Sequence, residues 1–135
     1  MLKRKMEDKI RIFMEKQSKA LLITGARQTG KTHIIRQYAK DMGKNLVEIN
    51  FLENKSAVSL MDAASDSKDI LLRISALTDV PLEEGKTLIF FDEVQECPEI
   101  VTAIKFLVED GTFRYIMSGS LLGVELNDLR SAPVG

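Results

Sequence analysis

The sequence is poor in the features that mark secreted, membrane and unstructured chains. It has one cysteine, Cys97, so no disulfide can form within the chain. Its 8 glycines and 3 prolines are too few for a linker or a low-complexity chain. No apolar run approaches the roughly 18 residues that a membrane span requires. The lysine-rich start lacks the apolar core of a secretory signal, and we therefore expect a cytoplasmic chain without a membrane segment.

Excess charge of either sign is also missing, since 19 basic side chains are balanced by 20 acidic ones. This balance argues against a domain that grips nucleic acid through a general positive field. Basic groups are concentrated in residues 1–19, where seven of them stand against three acidic groups. Such a run could contact phosphate, but on a helix it is more often the face exposed to solvent.

The 135 residues, 44% of them hydrophobic, have the size and composition of one compact domain. Apolar spacing predicts a lead-in helix over 4–17, which gives an amino-terminal segment 1–18 and a core of residues 19–135. In the core, short apolar runs predict strands over 20–24, 46–51, 88–91 and 114–117. Helical spacing predicts helices over 34–42, 56–64, 66–77 and from Pro98 to Val108. This alternation predicts an α/β fold of three layers, a parallel sheet between two layers of helices.

A glycine-rich loop follows the first predicted strand and precedes a predicted helix. Residues 25–32 read GARQTGKT, which matches the pattern G-x-x-x-x-G-K-[ST] of phosphate-binding loops. Gly25 and Gly30 allow backbone conformations in which consecutive amides point at phosphate oxygens. Lys31 is placed to reach the β- and γ-phosphates, and Thr32 to put its hydroxyl on Mg²⁺. The alternative is a glycine turn that only caps a helix.

The nucleotide site is predicted to extend over the whole loop and the start of the helix. Its predicted residues are Gly25, Ala26, Arg27, Gln28, Thr29, Gly30, Lys31, Thr32 and His33. The side chains of Arg27 and Gln28 often point outward in such a loop, so we assign them no chemistry. We expect His33 to pack or to cap the helix, because a lone histidine has no metal partners at a recognisable spacing.

Two acidic residues end the third predicted strand. Asp92 and Glu93 follow four apolar residues, at the carboxyl end of a buried strand, where an open α/β sheet places its ligand crevice. Asp92 is predicted to hold Mg²⁺ through the water shell of the ion. Glu93 is predicted to act on the water that attacks the γ-phosphate, either as its catalytic base or by orienting it. The alternative is that two acids simply end a strand.

Polar residues near the ends of two predicted strands are further candidates. Ser118 is the first choice, and Ser120 the second, for a contact with the γ-phosphate or the attacking water; the alternative is a serine–glycine turn that closes a strand. Gln95 and Glu96 could line the crevice, although a solvated loop is the more common arrangement. Cys97 has no CxxC partner, which argues against redox chemistry.

Other patterns separate the classes of phosphate-loop protein. A guanine-specific GTPase needs the motif Asn-Lys-x-Asp, but the pair Asn54 and Lys55 is not followed by the required aspartate. A transporter-type ATPase needs an LSGGQ-like segment, which the sequence also lacks. A small-molecule kinase excludes water from the γ-phosphate, so Glu93 directly after Asp92 favours hydrolysis. Two alternatives stay open: a module that changes shape on binding ATP or ADP with little turnover, and a phosphotransferase without a recognisable acceptor site.

These motifs resemble those of the AAA-like prokaryotic ATPases, a family of predicted ATP-binding proteins. The matching segments are GARQTGKT (25–32), FFDEVQ (90–95) and IMSGS (116–120), and the resemblance runs from about Lys19 to Leu122. It implies a P-loop ATPase that uses ATP and Mg²⁺, with a parallel sheet of the ASCE/AAA-like strand order 5-1-4-3-2. Members usually continue into a lid and a carboxyl-terminal domain, through which DNA could be a partner.

The resemblance also implies parts that these 135 residues do not contain. Four strands are recognisable where the family has five, so we expect a fragment or a truncated gene that lacks the fifth strand and any arginine sensor. A sheet edge left open in this way would favour homo-oligomers. Hydrolysis by the isolated chain is expected to be weak or absent.

Overall fold

A computed structural model of the chain describes Asp8, Arg11, Ile12, residues 20–24 and residues 30–119. Asp8, Arg11 and Ile12 are helical. The rest of the lead-in helix predicted over 4–17 lies outside the described residues.

Helices connect the strands in residues 20–24 and 30–119, which hold four strands and four α-helices. They are β1 (Ala20–Thr24), α1 (Lys31–Asp41), β2 (Asn45–Asn50), α2 (Lys55–Asp62), α3 (Ser67–Leu77), β3 (Thr87–Asp92), α4 (Pro98–Asp110) and β4 (Arg114–Gly119). A single turn of 3₁₀ helix, Val94–Glu96, joins β3 to α4. Every strand and helix predicted between residues 20 and 119 is therefore present, with bounds that differ by at most a few residues.

The four strands form one parallel sheet in the order β1-β4-β3-β2. Parallel neighbours need long crossover connections, which the helices provide. The predicted α/β fold with a parallel sheet is confirmed. The observed strand order agrees with the last four positions of the order 5-1-4-3-2 that the resemblance implies. Residues 20–24 and 30–119 include no further strand, and the expectation that the chain lacks the fifth strand stays a prediction.

The sheet lies between two layers of helices, and β3 contacts both. All six residues of β3 are buried. Leu88 and Phe90 belong to the apolar cluster that contains the buried side chains of α1. Ile89 and Phe91 belong to the cluster that contains those of α2, α3 and α4. Because successive residues of a strand point to opposite faces, a strand covered on both faces is an uninterrupted apolar run, which is how it was recognised.

The carboxyl end of β4 differs from the prediction. The strand was expected to end at Met117, whereas Ser118 and Gly119 belong to it and pair with Ile23 and Thr24 of β1. The alternative of a serine–glycine turn is therefore wrong at these two positions. The parallel ladder to β1 continues to Gly119, and this long-range pairing overrides the local turn preference of serine and glycine.

Candidate functional site

The alternation of side chains along β3 and β4 brings two polar residues to one face of the sheet. Asp92 comes two residues after Phe90, and Ser118 two residues after Ile116. Phe90 and Ile116 both belong to the cluster on the α1 side. Since residues two apart in a strand share a face, Asp92 and Ser118 also point to the α1 side. Both stand at the carboxyl edge of the sheet, near the start of α1.

Helix α1 begins at this edge with a glycine and a buried lysine. Gly30 precedes the helix with φ 75°, in the left-handed region that glycine adopts without steric cost. Its carbonyl accepts the first helical hydrogen bond, from the amide of Ile34 at 3.1 Å. Lys31 is the first helical residue and is only 3% exposed. The sequence therefore places a cation at the amino-terminal end of a helix, where anions are favoured.

The amine of Lys31 lies 3.8 Å from Asp92 Oδ1. The two groups form an ion pair, but they are too far apart for a hydrogen bond. Lys31 Nζ has no hydrogen-bond partner within the described part of the chain. A buried ammonium group that lacks acceptors is costly, because it has given up its hydration without replacement. Phosphate oxygens at the amino terminus of α1 would supply the missing acceptors, so the residues fit such a group.

Burial raises the pKa of the Asp92 carboxyl above its ordinary value, and the opposing effects of Lys31 and of the Glu93 amide do not cancel this rise. Asp92 Oδ1 accepts a hydrogen bond from that amide at 2.9 Å. The protein groups around Asp92 therefore do not fully offset the cost of burying its charged carboxylate. A divalent cation nearby would favour the ionised form, so Asp92 also fits its predicted role.

Protein carboxylates and imidazoles do not form a dense metal cage anywhere in the described part of the chain, where no three His, Cys, Asp or Glu residues are grouped. Thr32, the other predicted metal ligand, is half-buried in the first turn of α1.

Glu93 turns the chain sharply out of β3. Its φ of 55° and ψ of 49° are left-handed, and among the described residues it is the one non-glycine with positive φ. The side chain is buried, at 5% exposure of the residue, and Oε1 accepts a hydrogen bond from Gln95 Nε2 at 2.7 Å. A left-handed conformation costs a non-glycine residue roughly 1–2 kcal/mol. Such strain persists where the surroundings fix it, and it is common at functional sites.

Ser118 is 1% exposed, and its hydroxyl has no hydrogen-bond partner among the described residues. It stands on β4, the neighbour of β3, and faces the same layer as Asp92. An unpartnered buried hydroxyl costs roughly 1–3 kcal/mol, and a ligand oxygen on this side of the sheet would supply the partner that Ser118 lacks. Ser120, the second choice, lies outside the described residues.

The remaining predicted residues divide into two groups. His33 is exposed on α1, which argues against the packing role expected for it. Five residues of the phosphate loop lie outside the described part of the chain: Gly25, Ala26, Arg27, Gln28 and Thr29.

Two polar residues have contacts that the sequence did not reveal. Gln95 was expected in a solvated loop, whereas it belongs to the 3₁₀ turn and binds Glu93. Asn50 ends β2 directly beside Asp92. Its Oδ1 accepts hydrogen bonds from the backbone amides of Leu52 and Glu53, at 2.9 and 3.0 Å. The sequence signal for Asn50 was weak, because the second strand was predicted over 46–51 and this asparagine lay inside it, whereas the observed strand ends at Asn50. Glu96 does face solvent, in an exposed ion pair with Lys55 at 3.0 Å.

A cavity of about 360 Å³ lies on the opposite side of the sheet, among α2, α3 and α4. Met61, Ile70, Ile100 and Phe106 are among the residues that line it, and neither Lys31 nor any other described candidate of the site does so. This cavity is therefore separate from the candidate site.

A family model described as an AAA domain matches residues 17–135. No curated protein matches the sequence. Within the described residues, no helix has both the length and the apolar character that crossing a membrane would require.

Proposed function

The chain belongs to the AAA domain family of nucleotide-binding, ATPase-like modules, and from this premise we propose that it binds Mg²⁺–ATP and hydrolyses the γ-phosphate. The observation that carries the proposal is the amine of Lys31, which is buried and has no hydrogen-bond partner among the described residues. Its nearest anion, Asp92 Oδ1, is 3.8 Å away. An ATP phosphate group would supply the hydrogen bonds that this amine lacks.

Binding is assigned to the start of α1 and to the loop before it. Lys31 would donate to the β- and γ-phosphates, and the backbone amides from Gly25 to His33 would surround them. Thr32 and Asp92 would hold Mg²⁺, Asp92 through water. When bound, Mg²⁺ would offset the negative charge that develops on the phosphates during the reaction.

Hydrolysis is assigned to Glu93. Its carboxylate would accept a proton as the water oxygen bonds to the γ-phosphorus and the bond to the β-phosphate oxygen breaks, which gives ADP and inorganic phosphate. The Ser118 hydroxyl would donate to a γ-phosphate oxygen, and Ser120 is the second candidate for this contact. Support comes from the burial of Glu93 and Ser118 at the same sheet edge as Lys31.

Phosphate release by the unaltered chain and by Glu93→Gln tests the proposal. We expect the variant to retain Mg²⁺–ATP binding and to lose at least about 100-fold in kcat, the contribution typical of a general base. Glu96→Gln is the matched control, because Glu96 lies one turn further on in an exposed pair with Lys55 and should tolerate the change.

The other outcomes decide between the alternatives. Because hydrolysis by the isolated chain is expected to be weak, the deciding comparison is with Glu93→Gln. Tight ATP binding with phosphate release by the unaltered chain no faster than that by Glu93→Gln would favour a module that works by changing shape. A failure to bind any nucleotide would overturn the proposal. The division at residue 18, the homo-oligomer, the further carboxyl-terminal domain, a DNA partner and the cytoplasmic location stay predictions.

A further inference from the structure

We propose that Gln95 is a positioning residue for Glu93, and that its side-chain amide holds the carboxylate of the catalytic base in the orientation needed for hydrolysis. The inference rests on the proposed function, and it gives a specific task to a residue that the sequence offered only as one that could line the crevice. Its basis is the hydrogen bond from Gln95 Nε2 to Glu93 Oε1, at 2.7 Å.

The backbone between the two residues is fixed, so the amide is presented to Glu93 in one way. Val94, between them, is fully buried in the core. The Glu96 amide donates to the Glu93 carbonyl at 3.1 Å, and the Cys97 amide donates to the Val94 carbonyl at 2.9 Å. These bonds close the 3₁₀ turn directly after the left-handed residue Glu93. The turn therefore directs the side chain of Gln95 back towards Glu93.

The orientation of the amide follows from the chemistry of its partner. An ionised carboxylate only accepts hydrogen bonds, so Nε2 and not Oε1 must face Glu93. With Nε2 in that place, Oε1 is buried and has no hydrogen-bond partner in the part of the chain that the structure describes. Leaving this oxygen unpartnered is unfavourable. The arrangement therefore indicates that the free energy gained from the hydrogen bond to Glu93 exceeds the cost of leaving Gln95 Oε1 without a partner.

A neutral donor suits a base better than a cation would. A lysine or arginine in the same place would stabilise the ionised carboxylate strongly and reduce its tendency to take a proton. An amide cannot change its charge, and it still restricts the rotation of the glutamate side chain. Orientation of a catalytic group is worth a large factor in rate, and small displacements are costly.

The test replaces Gln95 by methionine, which has a similar length and no amide. We expect Gln95→Met to lower kcat by about tenfold, with KM and the calorimetric affinity for Mg²⁺–ATP unchanged, because the contact acts only on the chemical step. Gln37→Met is the matched control. Gln37 Nε2 donates to the carboxylate of Asp41 at 2.9 Å on the exposed side of α1, so the same type of bond is lost away from Glu93.

A double-mutant cycle separates positioning from a general structural effect. In the Glu93→Gln background, Gln95→Met should leave the residual kcat unchanged, because the base on which Gln95 acts is already missing. If Gln95→Met lowers kcat by the same factor in both backgrounds, or leaves kcat unchanged in the chain with Glu93 intact, the inference is overturned. Gln95→Ala serves in the same cycle if the methionine variant does not fold.

A readout that does not depend on turnover keeps the two proposals apart. In a crystal structure of Gln95→Met without nucleotide, we expect the Glu93 carboxylate to leave its position. A carboxylate that keeps its place would overturn this inference, whether or not the protein is active. If phosphate release by the unaltered chain is no faster than that by Glu93→Gln, but Glu93 moves on loss of the amide, hydrolysis as the proposed function is contradicted and the contact between Gln95 and Glu93 is kept.

Discussion

The amine of Lys31 lies 3.8 Å from Asp92 Oδ1, although 60 residues separate the two in sequence. The side chains are 4% and 11% exposed, respectively. Lys31 begins α1 and Asp92 ends β3, so the helix and the sheet bring together the two polar groups assigned to phosphate and metal. A site that is assembled before its ligand arrives loses less free energy on binding.

Loss of the Lys31 amine should weaken ATP binding. We expect Lys31→Ala to lower the affinity at least about tenfold, because a hydrogen bond to a charged group contributes roughly 1.5–3 kcal/mol. Calorimetric titration with Mg²⁺–ATP measures the effect. Lys40→Ala is the control, since Lys40 is exposed in the last turn of the same helix. Equal affinities of the Lys31 variant and the unaltered chain would show that this amine does not bind the nucleotide.

Replacement of Asp92 should change the response to metal more than the binding of ADP. We expect Asp92→Asn to abolish most of the gain in ATP affinity that Mg²⁺ provides, while metal-free ADP binds nearly as before, because the assigned partner of Asp92 is the ion. Titrations with and without Mg²⁺ measure both quantities. Asp62→Asn, at the exposed end of α2, is the control. A variant with an unchanged magnesium requirement would contradict the metal assignment.

Most of the described fold could be predicted from the sequence because buried parallel strands are short apolar runs. The run before Asp92 identified β3, and the match to a phosphate loop placed Lys31 at the start of a helix. The end of β4 was missed because a small polar residue such as Ser118 looks the same in a strand and in a turn. Only its pairing with Ile23, which is distant in sequence, decides between the two.

The contact between Gln95 and Glu93 could not be predicted for a different reason. It involves a glutamate in a left-handed conformation, which is uncommon for this residue and has no signal in the local sequence. Apolar spacing and motif patterns identify strands, helices and loops, but they do not specify the backbone angles of a single residue between them.

Tyr115 provides a test of an unpartnered hydroxyl in the core. The residue is fully buried, and its ring stacks on Phe91 with centroids 6.0 Å apart. Its hydroxyl has no hydrogen-bond partner in the described part of the protein. Tyr115→Phe keeps the ring and removes the unsatisfied group, so we expect the free energy of unfolding to rise by about 1 kcal/mol. Urea unfolding measures this change, and a lower stability would show that the hydroxyl is hydrogen-bonded after all.

The stability advantage of Tyr115→Phe over the unaltered protein should increase at high pH. Burial, assisted by the charge of Asp110, raises the pKa of Tyr115 well above its ordinary value of 10.0. The unfolded chain therefore loses this proton first, and the unaltered protein loses stability as the pH rises from about 10 towards the folded pKa. The phenylalanine variant lacks this loss. A stability difference between the two proteins that does not increase above about pH 10 would contradict the assignment.

Ser118 should respond differently, although its hydroxyl is also buried and without a partner among the described residues. In the absence of nucleotide, Ser118→Ala removes an unsatisfied group, so we expect stability to be unchanged or to rise by up to about 1 kcal/mol. With Mg²⁺–ATP, the lost donor should reduce the thermal stabilisation by the nucleotide and lower kcat at least about tenfold.

Tyr115→Phe is the matched control, because Tyr115 stands on the same strand and belongs to the apolar cluster on the other face of the sheet. If both variants respond to ATP as the unaltered chain does, the Ser118 hydroxyl does not contact the γ-phosphate. If Ser118→Ala destabilises the nucleotide-free protein, the hydroxyl has a structural partner, and the ligand is not needed to explain its burial.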